Sequence, residues 1–130
     1  MPTLTDESRI AAIVELRKLG WHEHHATVGV SARFACEYCD RDLLASIENY
    51  DTWQLDHIIP SSQHGSDEIA NKALACKTCN FMKGWFVPDG DSRESRITNA
   101  RRYIAERRVS KTAELERIRK IAGYESRDAA

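Results

Sequence analysis

The chain has 130 residues, 42% hydrophobic and 30% charged, with a formal net charge of −1. Those values fit one soluble globular domain over residues 1–130. No apolar run approaches the roughly 20 residues that span a bilayer. The N-terminus also lacks the basic flank and apolar stretch of a signal peptide, so no membrane partner and a cytoplasmic setting are expected. The near-neutral total argues at first against a nucleic-acid partner, but the charge is unevenly spread. Residues 1–80 carry 7 Lys and Arg against 12 Asp and Glu, whereas residues 81–130 carry 12 against 8. Phosphate contacts are therefore expected in the C-terminal third.

In chain order, residues 4–19 read as a helix, with Ile10, Ile13, Val14 and Leu16 at apolar spacing, Thr3 or Thr5 as cap and Gly20 as stop. Trp21-His22-Glu23-His24-His25 reads as a polar connector; with no cysteine near and a single acid, its histidines are expected to be solvated. Residues 26–35, with Val28, Val30 and Phe34, read as loop or short strand. A cysteine knuckle, Cys36-Glu37-Tyr38-Cys39, follows. Residues 40–55 are ambiguous, with a turn at Asp42-Leu43-Leu44 and strand-like alternation at Trp53-Gln54-Leu55. Residues 60–66 have the chemistry of a loop, and Ser66 can cap a short helix over residues 67–70. A second knuckle, Cys76-Lys77-Thr78-Cys79, leads into a short helix over 80–84.

After the break at Pro88-Asp89-Gly90, Asp91 and Glu94 form a capping-box pattern. The chain then reads helical to about residue 122, with Ile97, Ile104, Leu115, Ile118 and Ala122 as packing positions. A disturbed period over residues 109–112 leaves one helix or two. Arg101, Arg102, Arg107 and Arg108 form a basic cluster suited to salt-dependent phosphate contacts. Arg117, Arg119 and Lys120 extend it, but Glu106, Glu114 and Glu116 interleave, so a salt-bridged solvent face fits the later part equally. A helical homodimer contact stays open.

The two knuckles enclose 36 residues. A two-residue spacer lets both sulfurs of a knuckle face one ion, so Cys36, Cys39, Cys76 and Cys79 are assigned together to a structural zinc with no open ligand position. In a reducing compartment metal explains four cysteines better than disulfides do. A chain this short also gains from a metal staple.

Between the knuckles lies Asp56-His57-Ile58-Ile59-Pro60, and Asn80 follows the last cysteine directly. His57 has the ordinary pKa range of a general base near neutral pH. Asp56 is a hard oxygen ligand suited to Mg²⁺ or Mn²⁺, and Asn80 offers a neutral oxygen. Neighbours on a strand point to opposite faces, so Asp56 and His57 share a site only where the backbone bends or the strand ends. Asn71 is placed to orient the histidine. Plainer readings remain for each: a half-buried histidine at a strand end, Asn71 at a helix end, Asn80 as a cap. On these the chain is a non-catalytic zinc module that binds nucleic acid or protein.

Taken together, Cys36-x-x-Cys39, Leu55-Asp56-His57-Ile58-Ile59-Pro60, Gly65-Ser66-Asp67, Asn71, Cys76-x-x-Cys79-Asn80 and Lys83-Gly84 resemble the HNH endonuclease family over about residues 30–85. The resemblance implies an α+β, ββα-metal fold of treble-clef-like form, braced by the cysteine zinc site and flanked by the terminal helices. It implies a metal-dependent endonuclease acting on nucleic acid, DNA first. By position, His57 would activate water, Asp56 and Asn80 would hold the catalytic divalent ion, Asn71 would hold the loop bearing the base, and Lys83 would lie near the phosphate. Arg101, Arg102 and Arg108 are further expected nucleic-acid contacts. Two positions depart from the family: His64 replaces the first of two loop glycines, and Lys72 stands where an apolar residue is usual.

Overall fold

The computed structural model describes residues 5–127. Helix α1 (Asp6–Lys18) starts where the Thr5 hydroxyl accepts from the Ser8 amide at 3.1 Å; Thr3, the other candidate cap, and residue 4 lie outside the described residues. Asp6 and Glu7 occupy its first turn and Arg17 and Lys18 its last, each at the end of the helix dipole that favours its charge. Ile13 and Leu16 are half-buried, while Ile10 and Val14 stay exposed.

Residues 21–35 depart from the expected connector and strand. They form helix α2 (Glu23–Ser31), capped by His22, whose Nδ1 accepts from the His24 amide at 3.1 Å. Ala26, Val28, Gly29 and Val30 are buried, and α1 packs against this helix. The chain then turns through Arg33 and Phe34, both at positive φ. A single antiparallel bridge, Ala35 to Asp42, closes the first knuckle. Helix α3 (Ile47–Thr52), capped by Ser46, delivers Trp53 into a ring cluster with Trp21 and Phe34.

Strand β1 (Gln54–His57) begins where the alternation suggested, and strand β2 (Lys72–Ala75) pairs with it antiparallel, with Asp56 opposite Ala73 and His57 opposite Lys72. All four β2 residues are buried. The edge of β2 away from β1 is covered by Glu37 of the first knuckle, which donates its amide to the Leu74 carbonyl at 2.8 Å and accepts from the Leu74 amide at 2.7 Å. This leaves no open strand edge there. The loop between the strands carries 3-10 turns at Ser61–Gln63 and Ile69–Asn71, so the short helix expected after Ser66 is a tighter turn, held by the Ser66 hydroxyl accepting from the Glu68 amide.

Helix α4 (Lys77–Lys83) starts earlier than expected, inside the second knuckle, with Cys76 as its cap. Helix α5 (Arg93–Ala122) is one unbroken helix, so the disturbed period over 109–112 does not split it. Its capping box is Ser92 with Ser95, not Asp91 with Glu94. The core gathers Val28, Tyr38, Leu43, Ile58, β2, the cysteines, and Ala100 and Ile104 of α5. Every described residue from 109 onward is exposed, so the distal half of α5 projects from the body. Among the described residues no helix is long and apolar enough to cross a membrane.

Candidate active site and metal centre

The knuckles meet because the first is tied to the β2 edge and the second continues β2 into α4. Their four sulfurs lie within 4.8 Å of one another, and Cys39 Sγ is 3.7 Å from Cys76 Sγ. A tetrahedral zinc with bonds of about 2.3 Å sets its sulfurs about 3.8 Å apart, so the cluster fits that ion. The amides of Tyr38 and Cys79 point at Cys36 Sγ and Cys76 Sγ, both at 3.4 Å. The Arg108 guanidinium approaches Cys79 Sγ at 3.6 Å. Such donors support thiolates. The four crowded sulfurs shift one another's ionisation. Hydrogen bonding from Cys36 draws Cys76 far below the usual thiol range, whereas hydrogen bonding to its neighbours pushes Cys36 up to about 11 and Cys79 higher still. A dication removes that conflict.

Beside this frame a cleft of about 240 Å³ is lined by Asp56, His57, Pro60, Ser61, Asn80 and Trp85. Asp56 and His57 are the last two residues of β1, and both line the cleft. Asp56 is 8% exposed. Its Oδ2 accepts from the Tyr38 hydroxyl at 2.6 Å and pairs with Lys83 Nζ at 3.1 Å. Burial first, and then the Asp56 charge, pushes the Tyr38 phenol far up, so it acts as a donor. Asn80 projects from α4 and donates its amide to Gln54 of β1. The other Asp56 oxygen and Asn80 Oδ1 accept no hydrogen bond among the described residues. Two hard oxygens facing one cleft suit a Mg²⁺ or Mn²⁺ ion that keeps some of its waters.

The ring of His57 is held by a residue the sequence did not single out for it. His57 Nε2 lies 3.0 Å from Asp67 Oδ1, and that same oxygen lies 3.2 Å from Lys72 Nζ. Hydrogen bonding to His57, and then Lys72, holds the Asp67 carboxyl below the usual carboxylate range. Lys72 also reaches His24 Nδ1 at 2.8 Å, so one histidine of the expected solvated connector joins this polar chain. Lys72 is therefore part of the support beneath the histidine. No hydrogen bond joins Asn71 to the His57 ring. The Asn71 side chain instead closes the loop: it accepts from the Ile59 amide at 3.0 Å and donates to the carbonyls of Ile59 at 3.0 Å and Ser66 at 2.7 Å. Gly65 is required there, since a Cβ would sit 1.7 Å from the Ile59 carbonyl oxygen.

Three of the four expected phosphate contacts are engaged within the protein. Lys83 has no exposed side-chain surface; besides Asp56 it donates to the His57 carbonyl at 3.1 Å, so it braces β1 from beneath. Arg101 donates to the Glu37 carbonyl at 2.7 Å and pairs with Asp40 at 2.8 Å, which holds the Asp40 carboxyl below its usual range. Arg108 faces the cysteine cluster, and Arg102 is exposed. These inward arginines, with Arg93 on Glu37 at 2.8 Å, bind α5 to the first knuckle and β2. The missed residues, Asp67, Tyr38 and Gln54, stand 10, 18 and 26 positions from their partners. No local pattern marks such pairs; the one available signal was the Gly65-Ser66-Asp67 motif.

The family model of the HNH endonuclease matches residues 36–85, from the first zinc-knuckle cysteine to the tryptophan of the cleft. No curated protein and no solved structure gives a significant match. The hairpin β1–β2, the helix α4 and the four-cysteine cluster within that span have the ββα-metal architecture.

Proposed function

We propose that this chain, which carries an HNH endonuclease domain at residues 36–85, hydrolyses phosphodiester bonds in DNA, with His57 as general base and Asp56 and Asn80 as ligands of a divalent ion. One observation carries the reading: Asp56, His57 and Asn80 line a single cleft on a frame built to hold zinc. Mg²⁺ or Mn²⁺ in that cleft would supply Lewis-acid stabilisation of charge on the phosphate and the leaving oxygen. His57 takes a proton from the attacking water as the water oxygen bonds to phosphorus. The bond from phosphorus to the leaving oxygen breaks, and that oxygen takes a proton from solvent. With Nε2–H donated to Asp67, Nδ1 keeps the lone pair that accepts the proton. Asp67 thus fixes the tautomer and Asn71 fixes the loop. Lys83 balances the buried charge of Asp56.

The test is cleavage of supercoiled plasmid in Mg²⁺ or Mn²⁺. Loss of a general base costs about 10²- to 10⁴-fold, so His57→Ala is expected to reduce nicking by at least about 100-fold while zinc content and circular dichroism stay unchanged. A second reading, a zinc module that binds without cutting, draws on the Lys83–Asp56 pair, because Asp56 already has a structural partner. Binding without nicking across several divalent ions would favour it.

A further inference from the structure

Phe81 and Trp85 are each 82% exposed, more than any other aromatic residue described. Most of the other large rings have company. Trp21, Phe34 and Trp53 pack together, Tyr38 is buried on Asp56, and Phe86 stacks on Tyr103 with centroids 4.0 Å apart and planes 2° from parallel. Phe81 and Trp85 have no ring partner among the described residues. Phe81 lies within α4, whereas Trp85 follows its end, past Gly84, and Trp85 lines the cleft with Asp56, His57 and Asn80.

The display of Trp85 is built. On one side Lys83 is anchored beneath β1 by Asp56 and the His57 carbonyl. On the other, Phe86 is fixed by its stack on Tyr103 and by its amide donating to the Lys83 carbonyl at 3.0 Å. Between them Gly84, at φ +53°, makes a turn that favours glycine and leaves Trp85 facing out. With the backbone anchored on both sides, a flat ligand that covers the indole has little backbone left to order.

We infer that Trp85 is a stacking platform for nucleobases beside the scissile phosphate, and that the cleft takes unpaired nucleotides in preference to continuous duplex. The inference rests on the nucleic-acid reading of the same cleft. Whatever lies in the cleft lies against Trp85, and nucleobases are the flat apolar surfaces a nucleic acid offers. In duplex those faces are covered, and opening a step to admit a wedge is costly. In a single strand, a bulge or a frayed end they are already free, and stacking on aromatic side chains is tolerant of sequence.

The experiment uses the zinc-loaded full chain carrying His57→Ala with Mg²⁺ present, so that DNA stays intact. It compares a single-stranded DNA oligonucleotide with the perfectly paired duplex of the same sequence. The expected results are tighter binding of the single strand and quenching of tryptophan fluorescence. Trp85→Ala should weaken single-strand binding by roughly 10-fold. Trp85→Phe should keep most of the affinity but lose the quenching, since Trp21 and Trp53 are packed away. Equal binding of both forms, unaffected by Trp85→Ala, overturns the platform. So does a dimer by sedimentation that Trp85→Ala dissolves, because a second copy would then be what covers these rings. Plasmid nicking by the otherwise unsubstituted chain is scored separately. Nicking with no Trp85 effect sinks the platform and leaves the hydrolase reading standing; quenching with no nicking in any divalent ion does the reverse.

Discussion

Lys83 has no exposed side-chain surface and sits 3.1 Å from a nearly buried carboxylate. Both charges are taken out of water, and each is stable there only with the other present. Lys83→Met therefore strands Asp56 and is expected to cost about 3 kcal/mol of unfolding free energy, the scale for breaking one buried pair. Adding Asp56→Asn should recover part of that loss, because the stranded charge is then gone. Denaturant unfolding of the two variants checks this, and an unchanged Lys83→Met midpoint would contradict the pair. Lys83 also shows why the sequence misleads at single positions. The resemblance to the HNH family put Lys83 near the phosphate, and only the closeness of α4 to β1 shows that its ammonium is already occupied. Asp67 is the converse: an exposed loop acid becomes the partner of His57 once the loop curls back through Asn71 and Gly65.

The helices divide by how far local pattern could reach them. α1 was legible, since its cap, dipole charges and stop are all written locally. α2 was not. Ala26, Val28 and Val30 alternate with period two, which reads as strand, and its cap is a histidine outside the usual capping set. Tertiary burial around Gly29, against Phe34 and the core, overrides that pattern. α5 was legible as helix but not as a single one, because every described residue beyond 108 is exposed, and an exposed face keeps no apolar period. Removing residues 111–130 is accordingly expected to change unfolding free energy by no more than about 1 kcal/mol, as for other solvent-exposed changes, while helicity falls and zinc content stays the same. Loss of zinc from the truncated chain would contradict the division of α5 into an anchoring half and a projecting half. Arg93, Arg101 and Arg108 all lie in the anchoring half, so two of the four arginines read as a phosphate surface, Arg101 and Arg108, hold the knuckles, while Arg102 and Arg107 stay exposed.

Over the molecule, we propose two metals with separate duties. The cysteines from residues 36–39 and 76–79 close the frame, and the cleft hangs between them on β1 and α4. That nesting was legible because cysteine spacing and the order Asp56-His57, Asn71, Asn80 are sequence facts. The supports of the cleft were not, because Tyr38, Asp67 and Lys83 act across 10 to 26 positions of chain. Since zinc binding in small domains is folding free energy, stripping zinc with a strong chelator is expected to abolish cooperative unfolding and plasmid nicking together, and restored zinc should return both. Cooperative unfolding that survives complete zinc loss would contradict the frame.

The most direct measurement of the hydrolase reading is the fraction of supercoiled plasmid nicked as Mg²⁺ is added to protein of constant zinc content, with His57→Ala alongside. The expected result is no nicking without Mg²⁺, nicking that rises and saturates as it is added, and none above background from the His57→Ala chain with its zinc retained. Nicking by His57→Ala at the rate of the unsubstituted protein, or DNA binding with no nicking at any Mg²⁺ or Mn²⁺ concentration, would contradict it.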